Sequence, residues 1–527
     1  MPPLLRLRLS ALMFAQYGLM GLWSVTLATF LKASPHDGGL GLAATNVSLI
    51  YMTLALAATV SPLMVGLIAD RFFATQRVLA GLHLAGAIIL FVAARTGSEY
   101  QESAALAFQK VAFATDVADD GELWRLLWER DSLRNYVADP TNYPFSEPRI
   151  RGWVRTGLGH VGIHVPWDHR VDHPNVWRSE DVARRRLSDL DAKLPAAVRR
   201  ACDDPSVAAM TVEAVGPLFA LMLAYNLCYL PTITLSSALA FRNLPNPARQ
   251  FGQVRAWGTV GWMVAGWTVG GLLPQVSVLP LALASLGSAI MSGLCLLQPN
   301  TPPALKPRTL SDTLGLPALR LLTDRSFLVF ALTSLAGSFL MAFHNLFTHP
   351  YLVDLGVRHA AAWQTLGQTT EVLCILLIPR LCERFGTKAV LFAGMTASGC
   401  RFFGYAVGVP WVVLAIGLPL HGVGFALYYV TAAVYVDTRA PQDLRASAQG
   451  LVTLITAGVG ALAGNIFAGH VVDWDTVGGT VEWQAVWLVP AIGTFAAAAF
   501  FALTFHQPTT TARDLVEPPP ELIEPPA

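Results

Sequence analysis

The sequence predicts an all-α integral membrane protein with twelve transmembrane helices in two pseudo-symmetric six-helix halves. The first observation is composition: of 527 residues, 54% are hydrophobic and 13% are charged, whereas about a quarter are charged in soluble domains. The second is a series of apolar segments, each long enough to cross the roughly 30 Å hydrocarbon core of a bilayer. The third is a motif repeated at equivalent places in the two halves. The net charge of +1 indicates no nucleic-acid partner.

Twelve apolar segments meet the length criterion for a spanning helix. The first follows Arg6 and Arg8 and is too long for the apolar core of a signal peptide, so we interpret it as helix 1. Residues 298–325, rich in proline and charge, predict a cytoplasmic linker between the sixth and seventh segments. The predicted spans are 9–32, 44–69, 77–95, 212–241, 253–274, 277–297, 327–350, 361–381, 388–408, 410–437, 446–472 and 484–506.

A polar insertion, residues 96–210, separates the third segment from the fourth. It carries too many charges to cross the bilayer, so we expect it to lie outside the cell. Its two ends, 103–137 and 180–202, show helical patterning, whereas 140–177 predicts irregular structure. The sequence does not indicate what the insertion does. The predicted divisions are 1–95 and 211–297 for the first half, 326–506 for the second half, and 507–527 for a disordered tail rich in proline and glutamate.

Neither a metal site nor a disulfide framework is predicted. The histidines and aspartates of the insertion match no established ligand spacing and have no cysteine among them. The six cysteines show no paired spacing, and five lie in or at the ends of apolar segments. The insertion residues considered as ligands are His160, His164, Asp168, His169, Asp172 and His173.

The distribution of Lys and Arg over the short loops predicts the orientation of the chain. The loops on one side hold most of these residues, and the loops on the other side hold little beyond Lys32 and Arg358. Both termini are therefore expected inside the cell. The basic residues on the inner side are Arg71, Arg77, Arg242, Arg249, Lys306, Arg308, Arg320, Arg325, Arg380, Arg384, Lys388, Arg439 and Arg445.

An internal repeat links helices 2 and 3 in one half and helices 8 and 9 in the other. Residues 66–77 and 379–388 both place an acid, an arginine and a phenylalanine in succession, with a base after them. Repeated six-helix halves with a substrate site between them are typical of alternating-access transporters. The charges at these helix ends are therefore gating candidates, namely Asp70, Arg71, Arg77, Glu383 and Arg384.

A single carboxylate interrupts the eighth apolar segment. A helix over 361–381 spans roughly 30 Å, which places Glu371 near the midplane of the bilayer. An ionisable group at that depth is costly, so its default interpretation is functional. Gln364 and Gln368 share its helix face, because residues three and four apart are neighbours on a helix. Desolvation penalises the charged form of a carboxylic acid, so Glu371 is also the candidate proton carrier.

Short motifs in several spans resemble the nucleoside:proton symporter family of the major facilitator superfamily. Residues 66–77 resemble the loop signature of the superfamily, which implies a salt-bridge latch in the outward-facing state. The resemblance implies proton-driven uptake of nucleosides across a bacterial plasma (inner) membrane by a monomer without a cofactor. It rests on the runs FAQ at 14–16, RAWGT at 255–259, QTTE at 368–371, RASAQG at 445–450 and WQAVW at 483–487.

The resemblance also implies the roles of individual residues. A nucleoside needs an aromatic surface for its base and hydrogen-bonding groups for its base edge and ribose. Asn345, Gln368 and Glu371 are implied as hydrogen-bonding groups, and Trp262 and Phe425 as stacking groups. Their spacing puts Arg255, Thr259 and Trp262 on one face of helix 5, and His421, Phe425 and Tyr428 on one face of helix 10. The substrate-binding candidates are Arg255, Thr259, Trp262, Asn345, Gln368, Glu371, His421 and Phe425.

Two positions depart from the family pattern. An aspartate expected directly after Phe425 is Ala426 here, which leaves the proton route open. A glutamine expected on helix 7 aligns with Ala342, which leaves base selectivity open. Structural roles also compete: Arg255 could extend to the lipid headgroups, and buried amides could only join helices. Arg401 in helix 9 has no assigned partner and could form a structural ion pair.

Functions from three classes fit these observations. The first is a secondary nucleoside transporter, which the motifs of helices 5, 8 and 11 favour. The second is a transporter for another polar solute, such as a sugar or oligosaccharide, which would keep Glu371 but lose the stacking role of Phe425 and Trp262. The third is a sensor or receptor that acts through the insertion. No nucleotide-binding loop or nucleophile elbow is present, so an enzyme is not indicated. Proton versus sodium coupling and purine versus pyrimidine preference stay open.

Overall fold

The computed structural model describes residues 3–64, 73–117, 121–138, 180–302, 316–441 and 444–506, which are nearly all helical. Several predictions lie outside these residues: the gating candidates Asp70 and Arg71, the histidine-containing middle of the insertion, and the carboxyl tail. The helices are α1 (Pro3–Trp23), α2 (Leu27–Lys32), α3 (Ala44–Met64), α4 (Thr75–Ala114), α5 (Leu123–Ala138), α6 (Glu180–Cys202), α7 (Pro205–Asn243), α8 (Pro247–Leu272), α9 (Leu279–Leu296), α10 (Arg325–Asp354), α11 (Ala360–Val407), α12 (Pro410–Arg439), α13 (Arg445–Thr453, Leu454–Gly460 and Ala461–Trp474) and α14 (Trp483–Thr504).

Two smaller elements complete the described chain. A 3₁₀ helix, Leu316–Thr323, leads into α10. Strands β1 (Thr476–Val477) and β2 (Thr480–Val481) form an antiparallel hairpin between α13 and α14. The hairpin is not among the elements predicted above, although the pair Gly478-Gly479 is a known signal for a two-residue turn.

Ten helical runs of the described chain are long and apolar enough to cross a membrane, against twelve predicted spans. The difference has two sources. The predicted eighth and ninth spans lie in one run, α11, and the predicted fifth span, α8, is rich in glycine and is not among the ten. The remaining predicted spans each correspond to a helical run, with ends that differ by several residues.

A break in α11 occurs at Gly386, where the backbone has φ 79° and ψ 156°. This combination is essentially restricted to glycine, because a Cβ atom would clash with the neighbouring backbone. The break falls within the charged turn that the sequence places between helices 8 and 9. The two parts of α11 can therefore run in opposite directions as separate helices.

We expect the substitution Gly386→Ala to lower the free energy of unfolding by about 1–3 kcal/mol, because alanine cannot adopt this conformation without strain. The measurement is the thermal unfolding midpoint of the purified protein in detergent. Gly81→Ala is the matched control, since a Cβ atom there would meet nothing within 4 Å, and alanine favours a helix. Equal midpoints for Gly386→Ala and the wild type would contradict the assignment of strain.

The helices pack as two groups. In the first group, α1 packs along α8, and α4 packs against α7 and α9. In the second group, α11 packs against α12 and α14, and α10 packs against α13 and α14. The groups meet where α3 contacts α13, α8 contacts α11, and α2 contacts α10. We call this boundary the seam.

Gln16 of the predicted FAQ motif connects three helices of the first group. Its amide nitrogen donates to the Thr232 hydroxyl over 2.8 Å, and its side-chain oxygen lies 3.2 Å from Nε2 of His83. The Ser236 hydroxyl donates to the same oxygen over 3.1 Å. All of these side chains are buried, so this part of the motif fixes α1 against α4 and α7.

The insertion forms a helical cap with its own apolar core. We use "cap" for the end of α4, all of α5 and α6, and the start of α7. Its core contains Phe108, Leu126, Leu190, Leu194 and Val207, which are fully buried. α4 has 40 residues and is about 60 Å long, so it continues beyond the predicted boundary at residue 95. The predicted helical segment 103–137 is divided into the end of α4 and a separate α5, whereas α6 matches the prediction for 180–202.

The cap is attached to the first group by a cluster of charged side chains. The buried Arg130 guanidinium pairs with Asp37 over 3.2 Å and with Asp131 over 3.0 Å. His36 contacts Asp131 over 2.9 Å. Burial acts to raise the pKa of Asp131, yet the hydrogen bond with His36 and the charge of Arg130 outweigh it and lower that pKa to about 2. The ionised Asp131 therefore stabilises the cap above about pH 4 and ceases to do so as the pH falls towards 2.

The cap also contacts the second group, through the hairpin. Gly479 has φ 83°, and a Cβ atom there would lie 2.3 Å from the carbonyl oxygen of Pro195. The same Cβ would lie 2.9 Å from Cβ of Arg199. Only glycine allows the hairpin and α6 to approach this closely. The cap therefore touches both helix groups.

Candidate functional site

Hydrogen bonds join the two groups at the end of the bundle that carries the cap, which we call the cap end. Oγ1 of Thr29 and Nδ1 of His349 are 2.6 Å apart, and both residues are buried. The Asp473 carboxylate accepts hydrogen bonds from the backbone N–H groups of Ala44 and Thr45 over 2.8 and 2.9 Å. These bonds connect α2 with α10 and α3 with α13.

Close packing between α8 and α11 also closes the cap end. A Cβ atom at Gly270 would lie 2.5 Å from the backbone nitrogen of Ala362, and one at Gly266 would lie 2.8 Å from Cγ2 of Thr365. The indole N–H of Trp267 donates to the Thr365 hydroxyl over 3.0 Å. Glycines let helices approach to backbone contact in a membrane bundle. The seam between α8 and α11 therefore has no room for a solute at this end.

Further along the same two helices, Arg255 and Glu371 face each other without forming an ion pair. The charge of Arg255 acts on the Glu371 carboxylate, but no pair within 4.0 Å joins them among the described residues. The Arg255 guanidinium lies 3.6 Å from the ring centroid of Tyr17, a cation–π contact. Tyr17 was not predicted as a site residue, although it directly follows the FAQ motif.

Polar side chains of α8, α10 and α11 lack partners in the part of the chain that the structure describes. Oε1 of Gln368 is buried and accepts no hydrogen bond. The side chains of Glu371, Asn345 and Thr259 also form none among the described residues, and none of the three is fully buried. Polar groups in such positions are normally satisfied by water or by a ligand. By contrast, the Gln364 amide bonds within its own helix, to the carbonyl of Ala360 over 3.5 Å.

Aromatic rings of α12 border the same region. The ring centroids of His421 and Phe425 are 6.1 Å apart, and those of Phe425 and Tyr429 are 5.2 Å apart. Residues Ala426–Val430 form a π-helical turn, which shifts the helix face by one residue. Tyr429 lies beside Phe425, because residues four apart are neighbours on a helix. The hydroxyl of the predicted Tyr428 is instead 3.0 Å from that of Ser334.

The two positions that depart from the family pattern lie in packed surroundings. The side chains of Ala426 and Ala342 are 0% and 1% exposed. Trp262, on α8, is half-buried. The structure thus places an aromatic pair and a histidine on α12, which packs against α11, and places neither alanine in an open position.

The described gating candidates lie on two different helices, α4 and α11. Arg77 is in the first turn of α4, and Glu383 and Arg384 precede the break at Gly386. All three are exposed, and no ion pair joins them within the described chain. Arg384 lies 5.2 Å from the ring centroid of Phe385. A latch at this end of the bundle is therefore not formed between these three residues.

Two features of the site cannot be predicted from sequence motifs or residue spacing. The π-helical turn in α12 cannot be read from residue spacing. The contact between Arg401 and His421 joins residues on different helices, 20 positions apart. Among the described residues, no group of three or more His, Cys, Asp or Glu side chains could hold a metal ion.

Comparisons with known proteins agree with this arrangement. The chain matches the family model described as "Nucleoside H+ symporter" over residues 4–112 and 202–510, so the unmatched segment falls in the cap. It is 28% identical to YegT of Escherichia coli (strain K12), across 95% of this chain and 93% of that protein. It is 33% identical to the xanthosine permease of the same organism, across 54% of this chain and 73% of the permease.

A solved structure shows the same fold. The crystal structure of the nucleoside transporter NupG aligns with a TM-score of 0.66, covering 96% of this chain and all of that one, at 22% sequence identity. The shared fold is thus established over nearly the whole described chain.

Proposed function

Because this chain belongs to the nucleoside H+ symporter family, we propose that it carries its substrate through the seam by alternating access. It is a multi-pass protein of the inner membrane that takes up nucleosides with protons, and it is not an enzyme. The observation that carries the proposed route is the set of polar side chains of α8, α10 and α11 that lack partners in the described chain, together with the closure of the seam at one end by the packing of α8 on α11.

We propose twelve spanning helices in two halves of six. α1 and α2 together form one span, the two parts of α11 form two, and α8 is included despite its glycines. The first half then contains α1 to α4 and α7 to α9, with the cap as an insertion between its third and fourth spans. The second half contains α10 to α14. The break at Gly386 and the packing of the two helix groups support this count.

We further propose that both termini and the 298–325 linker are cytoplasmic and that the cap is external. The excess of Lys and Arg in the loops on the terminal side supports this orientation. In that orientation the structure is closed outside and open inside. The absence of an ion pair between Arg77 and Glu383 in the described chain fits this state, because a cytoplasmic latch would form only when the protein faces outward.

The substrate roles follow from chemistry. The Gln368 amide can both donate and accept hydrogen bonds, which suits it to the edge of a base or to ribose hydroxyls. Glu371 can accept from two ribose hydroxyls, and Asn345 and Thr259 add further hydrogen-bonding groups. Phe425, supported by Tyr429, offers a face on which a base can stack, worth roughly 1–3 kcal/mol per base. Trp262 is proposed as the second aromatic wall.

Glu371 is proposed as the proton carrier. When ionised, it is attracted by Arg255, which is held over the ring of Tyr17. When protonated, it loses that attraction and becomes a hydrogen-bond donor as well as an acceptor. Proton uptake at Glu371 would therefore change both the balance of charge across the α8–α11 seam and the hydrogen bonds available to a nucleoside. Ala426 cannot share this role, because it has no ionisable group.

Uptake of labelled uridine, adenosine and inosine into proteoliposomes tests the proposed function. We expect accumulation when an inward proton gradient is imposed and only equilibration without it. An imposed sodium gradient alone should not drive accumulation. If the wild type moves none of the three nucleosides, the proposal fails, and a transporter for another polar solute becomes the better description.

A further inference from the structure

Arg401 is a buried arginine that has no acidic partner among the described residues. It lies in the second part of α11 and is 1% exposed. Its guanidinium lies 4.2 Å from the ring centroid of Phe402, and Nη2 is 3.5 Å from the sulfur of Met341. Its Nε has no hydrogen-bond partner. A buried charge without a carboxylate is costly, and the predicted structural ion pair is not found within the described chain. This arginine therefore calls for another explanation.

The strongest contact of Arg401 is with a histidine of α12. Its Nη1 is in hydrogen-bond contact with Nδ1 of His421. A guanidinium can only donate, so Nδ1 of His421 must accept, and the imidazole is neutral with its proton on Nε2. The ring of His344 stacks on that of His421, with centroids 4.1 Å apart and planes inclined by 19°. His421 is thus fixed both in orientation and in tautomer.

The other side of the His421 ring lies against α11, next to Gly367. A Cβ atom at Gly367 would lie 2.9 Å from Cδ2 of His421, the atom next to Nε2. Gly367 immediately precedes Gln368, whose Oε1 lacks a partner. Nε2 itself forms no hydrogen bond with any described residue, and His421 is half-buried. An N–H donor of fixed direction therefore lies where α12 packs on α11, close to Gln368 and Phe425.

We propose that Arg401 is a positioning residue that sets substrate preference: it holds His421 as a donor, so that the site selects nucleosides with an oxo group over those with an amino group at the same place on the base. An oxo group accepts the Nε2–H hydrogen bond, whereas an amino group offers a second donor and leaves both unsatisfied. The positive charge behind the ring polarises the donor further. The inference rests on the proposed function, because it assumes that the base lies between Phe425 and His421.

Two pairs of nucleosides differ in this group and in the ring nitrogen beside it, which carries a proton in the oxo member and none in the amino member. Inosine and adenosine carry oxo and amino groups at the same purine carbon, and uridine and cytidine do so at the same pyrimidine carbon. In proteoliposomes with the full chain, we expect the KM of the oxo member to be about tenfold lower in each pair, the size of a mismatched hydrogen bond. We call the KM of the amino member divided by the KM of the oxo member the preference ratio. Arg401→Met should bring this ratio close to one in each pair by raising the KM of the oxo member, while the maximal rate of transport is retained.

Two further variants separate positioning from a general structural role. Arg401→Lys keeps a donor and a charge and should restore part of the ratio. In a His421→Gln background the ratio should already be lost, and Arg401→Met should then change it no further. Arg439→Met, which removes an exposed arginine paired with Asp324, is the control and should leave the ratios unchanged.

The outcomes are distinct. A wild type that transports all four nucleosides without preference overturns the inference but leaves the proposed function intact. A wild type that transports none overturns the proposed function. If Arg401→Met lowers all four activities equally and keeps the ratios, the arginine is only structural. Size-exclusion chromatography shows whether Arg401→Met folds. If it does not fold, His421→Gln is the deciding variant, because KM ratios equal to those of the wild type would overturn the inference.

Discussion

Replacing Glu371 by glutamine is expected to abolish proton-driven accumulation of nucleosides while exchange down a concentration gradient continues. Glutamine keeps the size and hydrogen-bonding shape of the side chain but cannot take up or release a proton. It also removes the attraction of the Arg255 charge for a carboxylate at this position. The expected loss of accumulation is roughly 5- to 150-fold, the usual range for coupling between two sites.

The measurement compares accumulation with counterflow in the same proteoliposomes. Counterflow needs binding and alternating access but no proton gradient, so it shows that Glu371→Gln still folds and binds substrate. Glu213→Gln is the control, because Glu213 is an exposed carboxylate of α7 outside the seam. Full accumulation by Glu371→Gln would show that the proton travels by a route that does not include this residue.

Introducing a side chain at Gly270 is expected to stop uptake by preventing closure of the cap end. The Cβ atom of Gly270→Val would lie 2.5 Å from the backbone nitrogen of Ala362, which cannot move without displacing α11. Overpacking of this kind typically costs about 1–3 kcal/mol, and here it acts only on the closed state. The ratio of closed to open forms should fall roughly 5- to 150-fold.

The neighbouring residue gives a matched control. A Cβ atom at Gly271 would meet nothing within 4 Å, so Gly271→Val should transport normally. A cysteine placed at Thr259, in a background without the native cysteines, reports which side of the seam is open to an impermeant thiol reagent. With Gly270→Val, labelling should shift towards reagent added from the cap side. Normal uptake by Gly270→Val would mean that closure does not depend on the contact between α8 and α11.

Most helices could be located from the sequence, because each apolar run must cover the thickness of a bilayer. The ends of α4 and α7 could not be located in this way, because hydropathy identifies only the apolar part of a helix. Residues 96–114 continue the helix outside that limit, with one face packed on α5 and α6. The turn at Gly386 was predictable from its charged neighbours, whereas the hairpin after α13 is too short for a strand pattern.

The site divides in the same way. Glu371 and Gln368 stand out in the sequence because polar residues in an apolar helix need an explanation. Other site residues do not stand out in the sequence, because their contacts depend on how the helices pack. These are Tyr17, Tyr429 and the pair Arg401 and His421. Regular helical spacing makes both Tyr428 and Tyr429 neighbours of Phe425, so spacing alone could not show that Tyr429 packs beside Phe425 while Tyr428 contacts Ser334.

The length of α4 and α7 has a mechanical consequence. With 40 and 39 residues, both helices reach about 60 Å. The predicted span of α4 ends at residue 95, so roughly 30 Å of α4 stands beyond the hydrocarbon core on the cap side as a stiff arm, whereas α7 adds only its first two turns there. Tilting the first helix group by about 10° would sweep the far end of such an arm through about 5 Å, by simple leverage on its length. A movement of that size is larger than the 2.3 Å that would separate a Cβ atom at Gly479 from the carbonyl oxygen of Pro195. If the two helix groups tilt during transport as proposed, we expect the cap to leave the hairpin and return to it once in each cycle.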